Sequence, residues 1–149
     1  MVAAAYFGGR QQELYEILRK SAYWSAIGAL PVVIAALLFS RDILGVFGRD
    51  FTEGGVVLLI LAIGQFFNAA TGLVGTALSL TGHERTFFRL VTGVMLFNLF
   101  PNILIIPRWG VTGAAIIAAV STISLNLLMA ISLIRILKNQ SSRDNDERS

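Results

Sequence analysis

Residues 54–82 read GGVVLLILAIGQFFNAATGLVGTALSLTG, with no Asp, Glu, Lys, Arg or His among them. A helix needs about 20 mostly apolar residues to cross about 30 Å of hydrocarbon. The stretch exceeds that length, which predicts a transmembrane helix that is tilted or extends past the bilayer. Its small and polar residues are ordered: Gly64, Asn68, Thr71, Gly75 and Ser79 follow one another at helical steps and share one face. Leu59, Phe66, Leu73 and Leu80 occupy other faces. In lipid no hydrophobic force draws helices together, and small residues let backbones approach closely. The stripe therefore reads first as a packing seam and second as the polar lining of a cavity.

Upstream, residues 41–53 (RDILGVFGRDFTE) form a charged loop with enough apolar residues to dip into the interface. Ser21 to Ser40 is another charge-free run, with Pro31 at its middle and Tyr23 and Trp24 at aromatic-belt depth near its start. Pro31 predicts a kink, because proline removes one backbone hydrogen bond, and neighbouring helices re-satisfy the freed carbonyl. Before it, residues 10–20 (RQQELYEILRK) place Leu14, Ile17 and Leu18 on one face and charges on the rest. That pattern predicts a short amphipathic helix lying flat at the membrane surface, with Glu16 and Lys20 spaced to pair weakly. Residues 1–9 (MVAAAYFGG) are too few to span and read as the remnant of a preceding span or as a frayed end.

Downstream, a basic turn (HERTFFR, 83–89) leads into a span at about 86–107, with Pro101 as a second predicted kink and Asn98 and Asn102 one turn apart. Residues 106–110 (IPRWG) predict a tight turn. The last span, about 111–137, carries a second small-polar stripe of Ala115, Ala119, Thr122 and Asn126. Residues 139–149 (NQSSRDNDERS) are wholly polar and predict a disordered tail. The expected fold is therefore all-α and polytopic. A membrane domain at 21–138 holds four spans, at about 21–40, 54–82, 86–107 and 111–137, preceded by the interfacial helix.

Composition agrees. Of the 149 residues, 55% are hydrophobic and 14% charged, against roughly 25% charged in soluble domains, and the mean hydropathy is +0.71. The net charge of +3 sits beside apolar spans, so it reads as topology signal and not as a nucleic-acid footprint. Arg10, Arg19, Lys20, Arg85, Arg89, Arg135, Lys138 and Arg143 flank one set of span ends; Arg41, Arg49 and Arg108 flank the other. Basic residues favour the cytoplasmic side, which predicts a cytoplasmic-membrane protein with both termini and the His83 turn inside. There is no cysteine, and no basic leader with a cleavage-like site precedes the first long span.

Chemistry is sparse. His83 is the single histidine and cannot build a typical zinc site. The spans hold no carboxylate pair, no nucleophilic triad and no phosphate-binding glycine loop, so neither an enzyme nor a cofactor is expected. They also lack the ionisable groups that mark ion pathways. What they offer is uncharged amides, Gln65, Asn68, Asn98, Asn102 and Asn126, suited either to lining a cavity that binds sugar hydroxyls or to tying helices together.

Three motifs in order, LAIGQ (61–65) to GLVG (72–75), TGHER (81–85), and Asn98 to IPRWGVTGAA (106–115), resemble the C-terminal region of polysaccharide-biosynthesis flippases of the multidrug/oligosaccharidyl-lipid/polysaccharide exporter superfamily. The resemblance runs through Lys138. It implies part of a larger two-lobed bundle that moves lipid-linked oligosaccharide across the cytoplasmic membrane for O-antigen (lipopolysaccharide), capsule or exopolysaccharide. It also implies membrane lipid and the lipid-linked glycan as partners, with a missing N-terminal lobe or self-association completing the cavity. Two other readings stand beside it: a small homo-oligomeric four-span transporter, and a membrane scaffold subunit that transports nothing.

Overall fold

A computed structural model of the chain describes residues 11–48, 54–71 and 73–146. The expected remnant at 1–9 lies outside them. Four helices follow in order: α1 (Gln11–Gly45), α2 (Gly55–Ala70), α3 (Val74–Leu80) and α4 (Glu84–Asp146), with no strand among the described residues. α1 and α4 are each long and apolar enough to cross a membrane, and α2 with α3 forms a third such segment if the bent pair is one span.

α4 is two helices joined at Gly110, whose φ of 55° and ψ of −143° are not helical. Only glycine adopts such a conformation without strain. The halves fold back on each other. The Asn98 amide donates to the Ser121 hydroxyl across 2.8 Å, whereas a straight helix would hold these residues about 35 Å apart. The turn expected at 106–110 is therefore present, and Gly110 makes it.

α2 and α3 replace the single tilted helix expected over 54–82. They are bent by 46° at a break between Ala70 and Val74. α3 ends in a Schellman-type cap: Gly82 takes φ +80°, and the His83 N–H reaches back to the Leu78 carbonyl at 3.1 Å. The Thr81 hydroxyl, almost fully buried, donates to the Ala77 carbonyl at 2.7 Å.

α1 differs from expectation at two places. The 10–20 stretch does not form a separate interfacial helix; from Gln11 it is continuous with the first span. Leu14 is fully buried against Ala77, Leu78, Met129, Leu133 and Leu137, with Ile17 and Leu18 packed alongside. An apolar stripe is satisfied by protein as well as by lipid, and here protein covers it. The expected Glu16–Lys20 pair forms at 3.1 Å, but both side chains are mostly exposed, so it contributes at most about 0.5 kcal/mol. The backbone of α1 leaves helical values at Phe39 (φ −123°, ψ 19°) while Pro31 sits inside the helix. Pro101 likewise lies inside α4, whose break is at Gly110.

Contacts set the directions. A Cβ built on Gly64 would lie 3.1 Å from the Ala119 Cα, and one on Gly75 would lie 3.2 Å from the Met129 sulfur. α2 and α3 thus run the same way as residues 111–146, with 84–109 antiparallel. α1 runs opposite to α2, since Leu14 meets Leu78 and Leu137 while Ser40 and Leu44 meet Gly55 and Gly54. One end of the bundle therefore gathers the start of α1, the 81–84 turn and Leu137. The other gathers Ser40, Gly55 and Gly110. The tail expected to be disordered continues α4 as helix through Asp146; once a helix is nucleated, each further residue adds a bond for little cost.

Beyond the leucine cluster around Leu14, the buried positions are mostly small: Ala36, Ala62, Ala115, Ala119 and Ser121. Trp24, Val32, Leu38, Met95, Phe97, Phe100 and Leu104 are exposed. Apolar outside and small inside is the arrangement lipid requires, where helices associate through close packing and polar bonds.

Candidate functional site: an amide-lined groove at the break between α2 and α3

The five amides singled out from the sequence separate into two groups. Asn98 and Asn102 belong to the α4 hairpin. The Asn102 amide donates to both the Asn98 carbonyl and the Asn98 side-chain oxygen at 2.8 Å, and Asn98 donates to buried Ser121. These bonds tie 84–109 to 111–146. The sequence reading did not include Ser121, although a reversal at Gly110 brings it opposite Asn98: one lies eleven residues after the turn and the other twelve before it.

Gln65, Asn68 and Asn126 belong to the second group. They line an open groove of about 560 Å³ with Thr76 and Ser79 from α3 and Thr122 from α4. Apolar residues, Phe87, Val91, Leu125 and Met129 among them, complete its wall. The helical spacing noted over 64–79 explains the placement. Gly64 and Gly75 press against Ala119 and Met129, which carries the residues between them to the α4 face.

The hydrogen bonds centre on Asn126. Its amide nitrogen donates to the Asn68 side-chain oxygen at 3.0 Å and to the Thr122 carbonyl at 2.9 Å. Its oxygen lies 2.8 Å from the Thr71 hydroxyl, which also lies 2.7 Å from the Asn68 carbonyl. One hydroxyl proton serves one of these acceptors at a time. Asn68 in turn donates to Gln65 at 3.3 Å. No buried side-chain nitrogen or oxygen among the described residues lacks a partner. Gln65, Asn68 and Thr76 nonetheless keep exposed surface on helices that are otherwise mostly apolar.

The groove is uncharged. It offers donors and acceptors for hydroxyls or amides beside an apolar wall, and it holds no nucleophile–base pair. Among the described residues no three His, Cys, Asp or Glu side chains cluster to hold a metal. His83 sits at the bundle end, its Nδ1 3.0 Å from the Thr81 carbonyl. Arg19, Lys20, Arg85, Arg89, Arg135 and Lys138 are exposed around that same end. Arg41 and Arg108 lie at the other, where a second pocket of about 300 Å³ is lined by Ser40, Arg41, Gly55 and Leu59.

Residues 1–104 match the MatE family. Over 112 residues the chain is 30% identical to the probable low-salt glycan biosynthesis flippase Agl15 of Haloferax volcanii, covering 74% of this chain and 24% of that protein. It is 28% identical over 118 residues to the probable flippase AglR of the same organism, covering 77% of this chain and 25% of that one. It is 24% identical over 117 residues to the capsular polysaccharide biosynthesis protein CapF of Staphylococcus aureus, covering 78% and 30%. The chain thus spans about a quarter to under a third of the length of these relatives. No solved structure matches it.

Proposed function

Because the chain belongs to the MatE family, we propose that it is the C-terminal part of a flippase moving lipid-linked oligosaccharide across the cytoplasmic membrane for surface polysaccharide biosynthesis. Its role in this reading is transport and not catalysis. It crosses the membrane four times: with α1, with α2 and α3 as one broken span, and with each limb of α4.

One observation carries the reading. Gln65, Asn68 and Thr76 present polar surface in a groove between spans whose other outward faces are apolar. Leaving an amide against hydrocarbon without a partner costs about 1–3 kcal/mol on mutational scales and more on alkane scales. A four-span bundle cannot close over that groove, so further helices or water complete it. A groove of hydroxyl and amide partners beside an apolar wall suits a ligand with a sugar part and a lipid part. The names borne by the relatives support the same substrate class. The basic residues around the Leu14, Leu78 and Leu137 end support a cytoplasmic side for that end in this reading.

The test is reconstitution in liposomes with a fluorescent lipid-linked oligosaccharide. Flipping is expected only when the chain is joined by the remaining helices of a MatE-family relative. Flipping by the chain alone would overturn its role as a part, and no flipping in either case would overturn the role in transport.

A further inference from the structure

We infer that the groove reads its ligand through Gln65, Thr76, Ser79 and Thr122, that what they take is the hydroxyl face of a neutral sugar, and that the Asn68–Asn126 bond ties helices instead. The assignment deepens the transport reading and rests on it. The two sets differ in what their polar atoms already do. The Asn126 nitrogen is engaged by the Asn68 side-chain oxygen at 3.0 Å and by the Thr122 carbonyl at 2.9 Å, and its oxygen meets the Thr71 hydroxyl at 2.8 Å. The Asn68 nitrogen is engaged by Gln65 at 3.3 Å. These bonds join α2 to residues 111–146, and a ligand competing for them would break the tie. By contrast, the Gln65 amide nitrogen and the hydroxyls of Thr76, Ser79 and Thr122 make no hydrogen bond among the described residues, and all four residues line the groove. Their donors and acceptors are open to a ligand.

Placement and charge narrow the ligand. Thr76 and Ser79 stand three apart on α3 and so share a face. Gly75 beside them lets α3 approach the apolar wall: a Cβ there would lie 3.2 Å from both the Met129 sulfur and a Phe87 ring carbon. The hydroxyl row therefore runs along a surface that suits the C–H face of a sugar ring. A hydroxyl donates and accepts, so it meets a sugar hydroxyl in either role. No Asp, Glu, Lys, Arg or His lines the groove. A carboxylate or phosphate in the same place would lose its hydration with no cation beside it, at a far greater cost than a neutral hydroxyl.

The test is photolabelling of the full chain in lipid nanodiscs with dodecyl glucoside that carries a diazirine next to the glycosidic bond, with adducts mapped by mass spectrometry. Adducts are expected within 75–91 and 122–129 in preference to the exposed positions of 95–104, and excess dodecyl glucoside should displace the probe. Dodecyl glucuronide, which differs by a carboxylate, and dodecyl tetra-O-methylglucoside, whose hydroxyls are capped, should displace it roughly tenfold less well. The Thr76 and Ser79 hydroxyls hold nothing in the fold, so Thr76→Val and Ser79→Ala should leave the circular dichroism unchanged. Each should weaken displacement by dodecyl glucoside roughly two- to tenfold, the range of a lost neutral hydrogen bond. Thr92→Val removes an exposed hydroxyl outside the groove and should change nothing. Equal displacement by all three glycosides, unchanged displacement in both Thr76→Val and Ser79→Ala, or no adducts in the groove overturns the assignment. These preferences persisting in a chain that flips nothing when joined to the remaining helices would speak against the transport reading and not against the assignment.

Discussion

Gly64 offers the sharpest test of the packing. A Cβ added there would lie 3.1 Å from both the Cα and the Cβ of Ala119. Carbon atoms prefer about 3.5–4.0 Å, so the added methyl is about half an ångström too close. Its neighbour is backbone and a side chain with no torsion to turn, so relief comes only by moving α2 away from residues 111–146. A gap of 0.5–1 Å forfeits a quarter to a half of each contact worth about 0.1–0.2 kcal/mol. Over about twenty atom pairs along the seam the loss is ~1 kcal/mol. Gly→Ala also gains up to about 1 kcal/mol of helix propensity, so the absolute change at Gly64 is near zero and uninformative. Gly93 supplies the reference: it is helical, and a Cβ there meets nothing within 4 Å. Gly64→Ala should therefore be less stable than Gly93→Ala by ~1 kcal/mol, and Gly64→Leu less stable by ~3 kcal/mol, at the upper end of overpacking costs. Reversible unfolding in bicelles, followed by circular dichroism, measures the difference. Equal stability of the two alanine variants would refute a close α2–α4 seam at Gly64.

Two further expectations concern the ends of the bundle. Gly110→Ala forces a side chain into a backbone conformation essentially reserved for glycine, which costs about 1–3 kcal/mol; the same unfolding measurement checks it, and an unaffected variant would contradict the sharp reversal in α4. Leu14→Ala removes a side chain with no exposed surface, and by the usual scale of core truncations it should destabilise by about 2–5 kcal/mol. A loss below 0.5 kcal/mol in that last variant would mean that the 11–20 segment rests on lipid after all.

Much of this arrangement is legible in the residues. Charge-free runs mark where apolar helices lie, because lipid admits few charges. The Gly64 to Ser79 spacing puts close contacts and polar groups on one face, and in the structure Gly64 and Gly75 pack while Asn68 and Ser79 line the groove. The reversal at Gly110 follows from a Pro–x–x–Gly turn signal. Other features leave no such trace. Leu14, Ile17 and Leu18 make an apolar stripe that a lipid surface and a protein core satisfy alike, so the pattern does not say which covers it. The break between α2 and α3 has no proline to announce it, only a lone glycine in an apolar run that reads equally well as a packing position. Pro31 and Pro101 draw attention to themselves, yet the backbone departures fall at Phe39 and Gly110. Within the candidate site, Asn98 and Asn102 looked equivalent to Asn68 and Asn126 by residue type. Only the fold separates them, into a hairpin tie and a groove lining.

The central claim is that the amide face of α2 and α3 is turned to protein or water and away from acyl chains. Nitroxide accessibility on the full chain in liposomes tests it most directly, with labels at Gln65 and Thr76 compared with Met95 and Phe100, which are 72% and 71% exposed. At Gln65 and Thr76 the account predicts weak relaxation by oxygen, which concentrates in lipid, and strong relaxation by a polar nickel chelate or shielding from both. Oxygen accessibility equal to that at Met95 and Phe100, with none for the chelate, would contradict it.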